Sequence, residues 1–277
     1  MLFLGMNVGL ILSGSVNVEA KTTATQLKKV LKRYTNEKII DFRYGDYNGD
    51  KKYEAFALVG ERCAQLGEDS YCDGLLWFVN SKKAVPLKYA NNFGEQNKKF
   101  SHVYKFKKRK CIVYQEMYAT GYTSYVWTVK GSKVKEEKIS GKINGISKSK
   151  YGWLEGIRSA YDACYSDGLY TGHTWKPYYF YYNNGIKEYG GKKISKKALI
   201  KKYKGASKYI KGKKILEIYY RKNGIININY TKRQDGMTQF YNTTLKIKGK
   251  KVVKYASDFG RYQKATVPSI AKYPKEF

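Results

Sequence analysis

Acidic residues are scarce: 22 Asp and Glu stand against 54 Lys and Arg in 277 residues, a net charge of +32. So few carboxylates make it hard to nominate the flanking pair that glycoside hydrolysis needs. Histidine is scarcer still, at positions 102 and 173 only. Arginine occurs only at positions 33, 43, 62, 109, 158, 221, 233 and 261. Guanidinium forks are what bidentate reading of guanines and phosphates requires, so the lysine-dominated charge suits diffuse attraction and not specific nucleic-acid recognition. With four prolines and no low-complexity stretch, the chain has no evident linker. No P-loop, G-x-S-x-G, H-E-x-x-H or zinc-spaced cysteine pair occurs.

The first twenty residues, MLFLGMNVGLILSGSVNVEA, contain no Lys or Arg. They run apolar from Leu2 to Leu12, then turn small and polar up to Val18 and Ala20. The pattern is that of a secretory leader with processing after Ala20, although its positive n-region is missing. The apolar run is too short to span a bilayer, and no later stretch approaches that length. The expected mature protein is therefore extracellular or on the cell surface, a single β-rich domain over 21–277 with a subdomain boundary near Gly190 and Gly191. Removing the leader takes away Glu19 alone and leaves a chain of +33. Such a chain repels itself and seeks polyanions, which outside a cell are wall polymers, lipid headgroups and acidic glycans.

Cys63, Cys72, Cys111 and Cys164 all fall after the leader, and an even number permits two disulfides in an exported chain. Three pairings are possible. The closable loop between Cys63 and Cys72 favours that pair and leaves Cys111 with Cys164.

Leu27, Val30, Leu31 and Tyr34 share a helical face, so a helix is expected to end near Asn36. From Lys38 the period becomes two, with Ile40, Phe42 and Tyr44 on one face, and Phe56 and Leu58 alternating after a polar turn. Hairpins follow in GLLWFVN-SK-KAVPLKY, YVWTVK-GS-KVKEEKI, YYFYY-NNG-IKEYGG, ILEIYYRK-NG-IININY and TLKIK-GK-KVVKY, the turn at Asn223-Gly224 tolerating positive φ at both residues. Tyr125, Trp127 and Val129 share a face, and Ile226, Ile228 and Tyr230 oppose Asn227 and Asn229, which predicts sheets with one buried and one wet face. Ser195 is a plausible N-cap for a second helix that Gly205 stops. The expected fold is mainly β: an antiparallel meander of hairpins, with a blade-like, propeller-type arrangement as one form of it, and two short helices.

Between the first two strands lies Asp46-Tyr47-Asn48-Gly49-Asp50-Lys51-Lys52-Tyr53-Glu54. Oxygens of Asp46, Asn48, Asp50 and Glu54, with the carbonyl of Lys52, fall at positions one, three, five, nine and seven of a loop that could wrap Ca²⁺. An EF-hand would also need a carboxylate at position 57, where Ala57 stands. The stretch resembles the calcium loop of FG-GAP and VCBS-type extracellular β repeats, D-x-[DN]-G-D-G-x-x-[DE], with Lys51 in place of the usual glycine. The wider layout resembles uncharacterised exported proteins of Gram-positive gut bacteria. The first resemblance implies a structural Ca²⁺; the second implies no activity.

Two further groups are candidates. Cys164 and His173 could serve as nucleophile and base of a cell-wall thiol hydrolase, but a third, orienting group is not apparent. Tyr178, Tyr179, Tyr181 and Tyr182 form a dense aromatic run that could stack on sugar rings. The reading with most support is an exported, non-catalytic binding protein whose partner is an anionic wall polymer or glycan, or another exported protein.

Overall fold

The computed structural model describes residues 22–62, 70–90, 93–94, 101–118, 121–160, 165–166, 169–170, 174–234, 237–258, 269–273 and 275. The expected leader lies outside them. Within them the chain is mostly strand, every strand pairing is antiparallel, there are two α-helices, and no sheet closes into a barrel. No helix among the described residues is long and apolar enough to cross a membrane.

Helix α1, Ala24–Leu31, begins at Thr23, whose hydroxyl accepts from the Gln26 amide while the Gln26 side chain accepts from the Thr23 amide. This reciprocal cap satisfies two otherwise orphaned donors. The first meander follows, with β1 Ile39–Gly45, β2 Glu54–Arg62, β3 Ser70–Val79 and β4 Ala84–Ala90 paired in sequence order. The two-residue β5, Phe93–Gly94, joins it to a second meander of β6 Ser101–Phe106, β7 Arg109–Tyr118, β8 Gly121–Lys130 and β9 Lys133–Glu136, making one nine-stranded sheet. A third meander holds β10 Asn144–Lys148, β11 Leu154–Ala160, β14 Thr174–Tyr182 and β15 Ile186–Glu188, with the small hairpin β12 Tyr165–Ser166 and β13 Leu169–Tyr170 inserted between β11 and β14. The last sheet is β16 Gly191–Lys193, β17 Lys214–Arg221, β18 Ile225–Gln234, β19 Met237–Lys248 and β20 Lys251–Asp258, with α2, Lys196–Lys202, between β16 and β17.

Strand alternation decides how these meanders stack. On β2, Ala55, Ala57 and Val59 face α1 and cover Leu27, Val30 and Leu31, the alanines letting the helix approach closely. Phe56 and Leu58 point the other way, onto Ile112 and Tyr114 of β7 and Tyr125 and Trp127 of β8. Cys111, Val113 and Val126 leave the opposite face of that second meander and meet Leu154, Tyr178, Phe180 and Ile186 of the third. Trp153 and Tyr179 pack on Ile225 of the fourth. Its far face, with Ile218, Ile226, Ile228 and Leu245, is covered by Leu199 and Tyr203. The order is thus helix, four meanders face to face, helix. Each outermost sheet is closed off by a helix that hides its apolar face from water.

All five expected hairpins form. The first helix ends at Leu31, short of the expected Asn36, and leaves Tyr34 exposed. Three expectations about the strands also fail. A register shift between Ile39 and Asp41 breaks the alternation, so Ile40 packs with Phe56 and Leu58 whereas Phe42 and Tyr44 pack beneath α1. An extra residue in one strand swaps its side chains between faces. At Asn223-Gly224 only Gly224 has positive φ, at +77°. The Gly224 amide donates to Arg221 O at 2.9 Å, a longer loop with glycine in the left-handed position. The wet faces are also dry: Ser124, Val126, Asn227 and Asn229 are fully buried, because the next meander covers them.

Candidate binding surfaces

The Asp46–Glu54 loop is built on its own backbone. Asp46 accepts from the amides of Gly49 at 2.6 Å and Lys51 at 3.1 Å, and Asp50 accepts from the Lys52 amide at 2.8 Å and the Asn48 side chain at 2.8 Å. Glu54 accepts from the Tyr47 amide at 3.2 Å, and Asn48 donates across to Gly131 O at 2.7 Å. Lys51, where the repeat pattern has glycine, takes φ +69°, the strained left-handed region that a side chain disfavours. Glu54 is 3% exposed. Burial, with Asp50 and Asp46 close by, pushes its carboxyl up to about 7. Mutual repulsion of three carboxylates is the donor chemistry that a hard cation relieves. Their geometry is that of a self-capped turn, and among the described residues no three Asp, Glu, His or Cys side chains converge as a metal set.

Cys111 is a free thiol, fully buried. That corrects the expected Cys111–Cys164 bridge: β7 runs through the middle of the stack, and Cys111 faces the apolar layer between the second and third meanders. Burial pushes its thiol up to about 12. Cys63, Cys164 and His173 lie outside the described residues, as does the side chain of Cys72. The Cys63–Cys72 bridge and the Cys164–His173 pair therefore fall there too.

The tyrosine run is not a stacking platform. Tyr178 is fully buried and Tyr179 is 3% exposed, because β14 is a central strand between the second and fourth meanders. Tyr181 and Tyr182 are half-buried against Tyr189 and Phe106, with ring centroids 4.5 and 5.8 Å away. The aromatic surface lies nearby, at the seam of the third and fourth meanders. Tyr151 is 38% exposed and stacks on Trp153 at 5.0 Å, with Tyr255 at 5.9 Å from Tyr151 and Tyr189 at 6.2 Å from Trp153. The Trp153 ring N–H donates to Glu155 Oε1 at 2.9 Å, and the Tyr255 hydroxyl donates to the same oxygen. Burial first, then this bond, raises the Tyr255 pKa. Lys246 Nζ lies 4.8 Å from the Trp153 centroid and 5.6 Å from that of Tyr151. The sequence signal was Lys150-Tyr151-Gly152-Trp153, a turn flanked by aromatics.

A second surface was also legible in the charge pattern. Residues 190–216 hold eleven lysines and no Asp or Glu. Leu199, Tyr203, Ala206 and Ile210 anchor the segment on the last sheet, so Lys196, Lys197, Lys201, Lys202, Lys208 and Lys211 are exposed at that end of the stack. Within the segment Lys193 reaches Glu217 at 3.1 Å. Lys204 donates its amide to Lys250 O at 2.8 Å, which brings Lys250 and Lys251 to the same cap.

No family model, curated protein or solved structure matches this chain.

Proposed function

We propose that this is an exported, non-catalytic binding protein that holds anionic envelope polymers or glycans through its lysine surface. The observation that carries the reading is the cap over 190–216, eleven lysines without a carboxylate, fixed on a folded scaffold. A solvating coat would intersperse both signs, whereas a one-signed field concentrates polyanions and speeds their capture. Ca²⁺ at the Asp46–Glu54 loop has a structural role in this reading: the ion would re-aim Asp46, Asp50 and Glu54 from their backbone partners and stiffen the β1–β2 connection.

The test is binding of inorganic polyphosphate and of purified wall polymers across a salt series, with the Lys196→Glu, Lys197→Glu, Lys201→Glu, Lys202→Glu variant beside the unaltered protein. All four positions are exposed, so the fold should survive. Affinity should fall steeply with salt, as screening over about 10 Å at 0.1 M demands, and the variant should lose most of it. Equal affinity of the two proteins at low salt would remove the cap from the reading. Turnover of a wall polymer would remove the non-catalytic part.

A further inference from the structure

We propose that the aromatic seam around Tyr151 is a subsite for an acidic sugar residue, a uronate within a glycan strand. The inference rests on the polyanion-binding reading and adds to it a second, chemically distinct contact. The platform stands on the β10–β11 turn, where the Ser149 amide donates to Trp153 O at 2.8 Å and the Gly152 amide to Ser149 O at 3.1 Å. Gly152 has φ +88°, and nothing lies within 4 Å of where its Cβ would be. The turn is therefore open at Gly152, and the residue that shapes it adds no bulk there.

Three features match the occupant. The Tyr151 ring, 38% exposed and backed by the buried Trp153 and half-buried Tyr255, presents an apolar face of the kind that the C–H face of a pyranose covers. Glu155 fixes Trp153 and Tyr255 together through one oxygen, so the surface is preorganised and little side-chain freedom is lost on binding. Lys150 Nζ, 5.5 Å from the Tyr151 centroid, and Lys246 Nζ supply two ammonium groups within reach of a carboxylate on that sugar. Lys246 also donates to Asn223 O, and burial lowers its pKa. A partly desolvated ammonium gains more from a carboxylate than one in water does. Neutral sugars would take up the stacking alone, whereas polyphosphate has no ring face to stack.

The experiment is calorimetric titration with a hexuronate oligosaccharide, its carboxyl-reduced neutral counterpart and inorganic polyphosphate. The proteins are the full chain, Tyr151→Ala, Lys150→Gln and the four-lysine cap variant. Tyr151 and Lys150 are exposed in a turn, and circular dichroism of each variant checks the fold. Tyr151→Ala should weaken the hexuronate about tenfold, the loss of one aromatic contact, and leave polyphosphate binding unchanged. The neutral oligosaccharide should bind more weakly than the hexuronate, and Lys150→Gln should narrow that gap. Hexuronate affinity unchanged in Tyr151→Ala, or equal for the acidic and neutral sugars, overturns the subsite while polyphosphate binding leaves the cap standing. Loss of both ligands from the cap variant alone would show that the seam contributes nothing.

Discussion

Glu54 offers a direct measure of how the loop between β1 and β2 is held. Its carboxyl lies at about 7 in the folded protein against an ordinary 4.5, so between those values the folded chain binds a proton that the unfolded chain has released. Stability is then highest below the unfolded value and falls as pH rises through the folded one. Between pH 5 and pH 8 the linkage amounts to about 2.5 kcal/mol, and roughly half of that once solvent screening at the loop rim is allowed for. In a chain of this size that is about 3–5 °C in Tm. The assay is urea unfolding at both pH values, with chelator present, for the unaltered protein and Glu54→Gln.

Glutamine keeps an acceptor for the Tyr47 amide and cannot ionise, so the variant should lose Glu54's share of the slope and exceed the unaltered protein in stability at pH 8. Glu217, also raised by burial, contributes a slope of the same sign in both proteins and cancels in the comparison. Parallel pH curves for the two proteins would refute the reasoning. Ca²⁺ supplies an internal control: an ion bound by Glu54 would displace its proton, and the difference between the two proteins would shrink or reverse at millimolar Ca²⁺.

Millimolar Ca²⁺ acting at a Kd of about 10⁻⁴ M should add roughly 1.4 kcal/mol, a few degrees in Tm, and Asp50→Ala should abolish the shift; coincident melts with chelator and with Ca²⁺ would make the loop a metal-free turn. Gly49→Ala should destabilise by about 2 kcal/mol or more, since φ there is +75° and the new Cβ would meet Lys108 O at 2.6 Å, strain that denaturant unfolding reads directly. Cys111 should resist a thiol reagent at pH 8 in the native protein, and Cys111→Ala should lower the thiol count by one in denaturant only; reaction in native buffer would contradict its burial.

The hairpins were legible because their turns carry Gly, Asn and Lys at fixed offsets between β-branched and aromatic runs. The two helices were legible from local signals, the spacing of Leu27, Val30 and Leu31 in one and the Ser195 cap, which accepts from the Ala198 amide, in the other. What faces what was not legible. Asn227 and Asn229 alternate with isoleucines and read as solvent-facing, yet they are buried. Whether a polar side chain in a strand meets water or another sheet depends on the stacking of the meanders, which strand periodicity does not encode. The candidate sites divide in the same way. The lysine segment is a local charge run, whereas the aromatic seam joins Tyr151 and Trp153 to Tyr255 and Lys246, about a hundred residues along the chain.

The buried polar contacts between the third and fourth meanders give that interface a physical logic that the apolar clusters between the other meanders do not share. Arg221 is 1% exposed and donates to Asn227 Oδ1 at 3.2 Å and Pro177 O at 2.8 Å, with Glu188 Oε1 at 3.5 Å. From Asn227 the chain of bonds runs through Thr244 and Asn242 to Asn229. An apolar seam would tolerate sliding by a residue, but a buried guanidinium that leaves its partners loses several kcal/mol, so only one register of the fourth sheet against the third satisfies it. The other oxygen of Glu188 accepts from the Ser269 hydroxyl and the Ile270 amide at 2.8 and 2.9 Å, which ties residues 269–273 to the same point. Fixing that register holds Tyr255 and Lys246 of the fourth sheet opposite Trp153 and Glu155 of the third. The buried polar chain and the aromatic surface at its rim are in this sense one construction: the first sets the relative position of two sheets, and the second needs that position to exist.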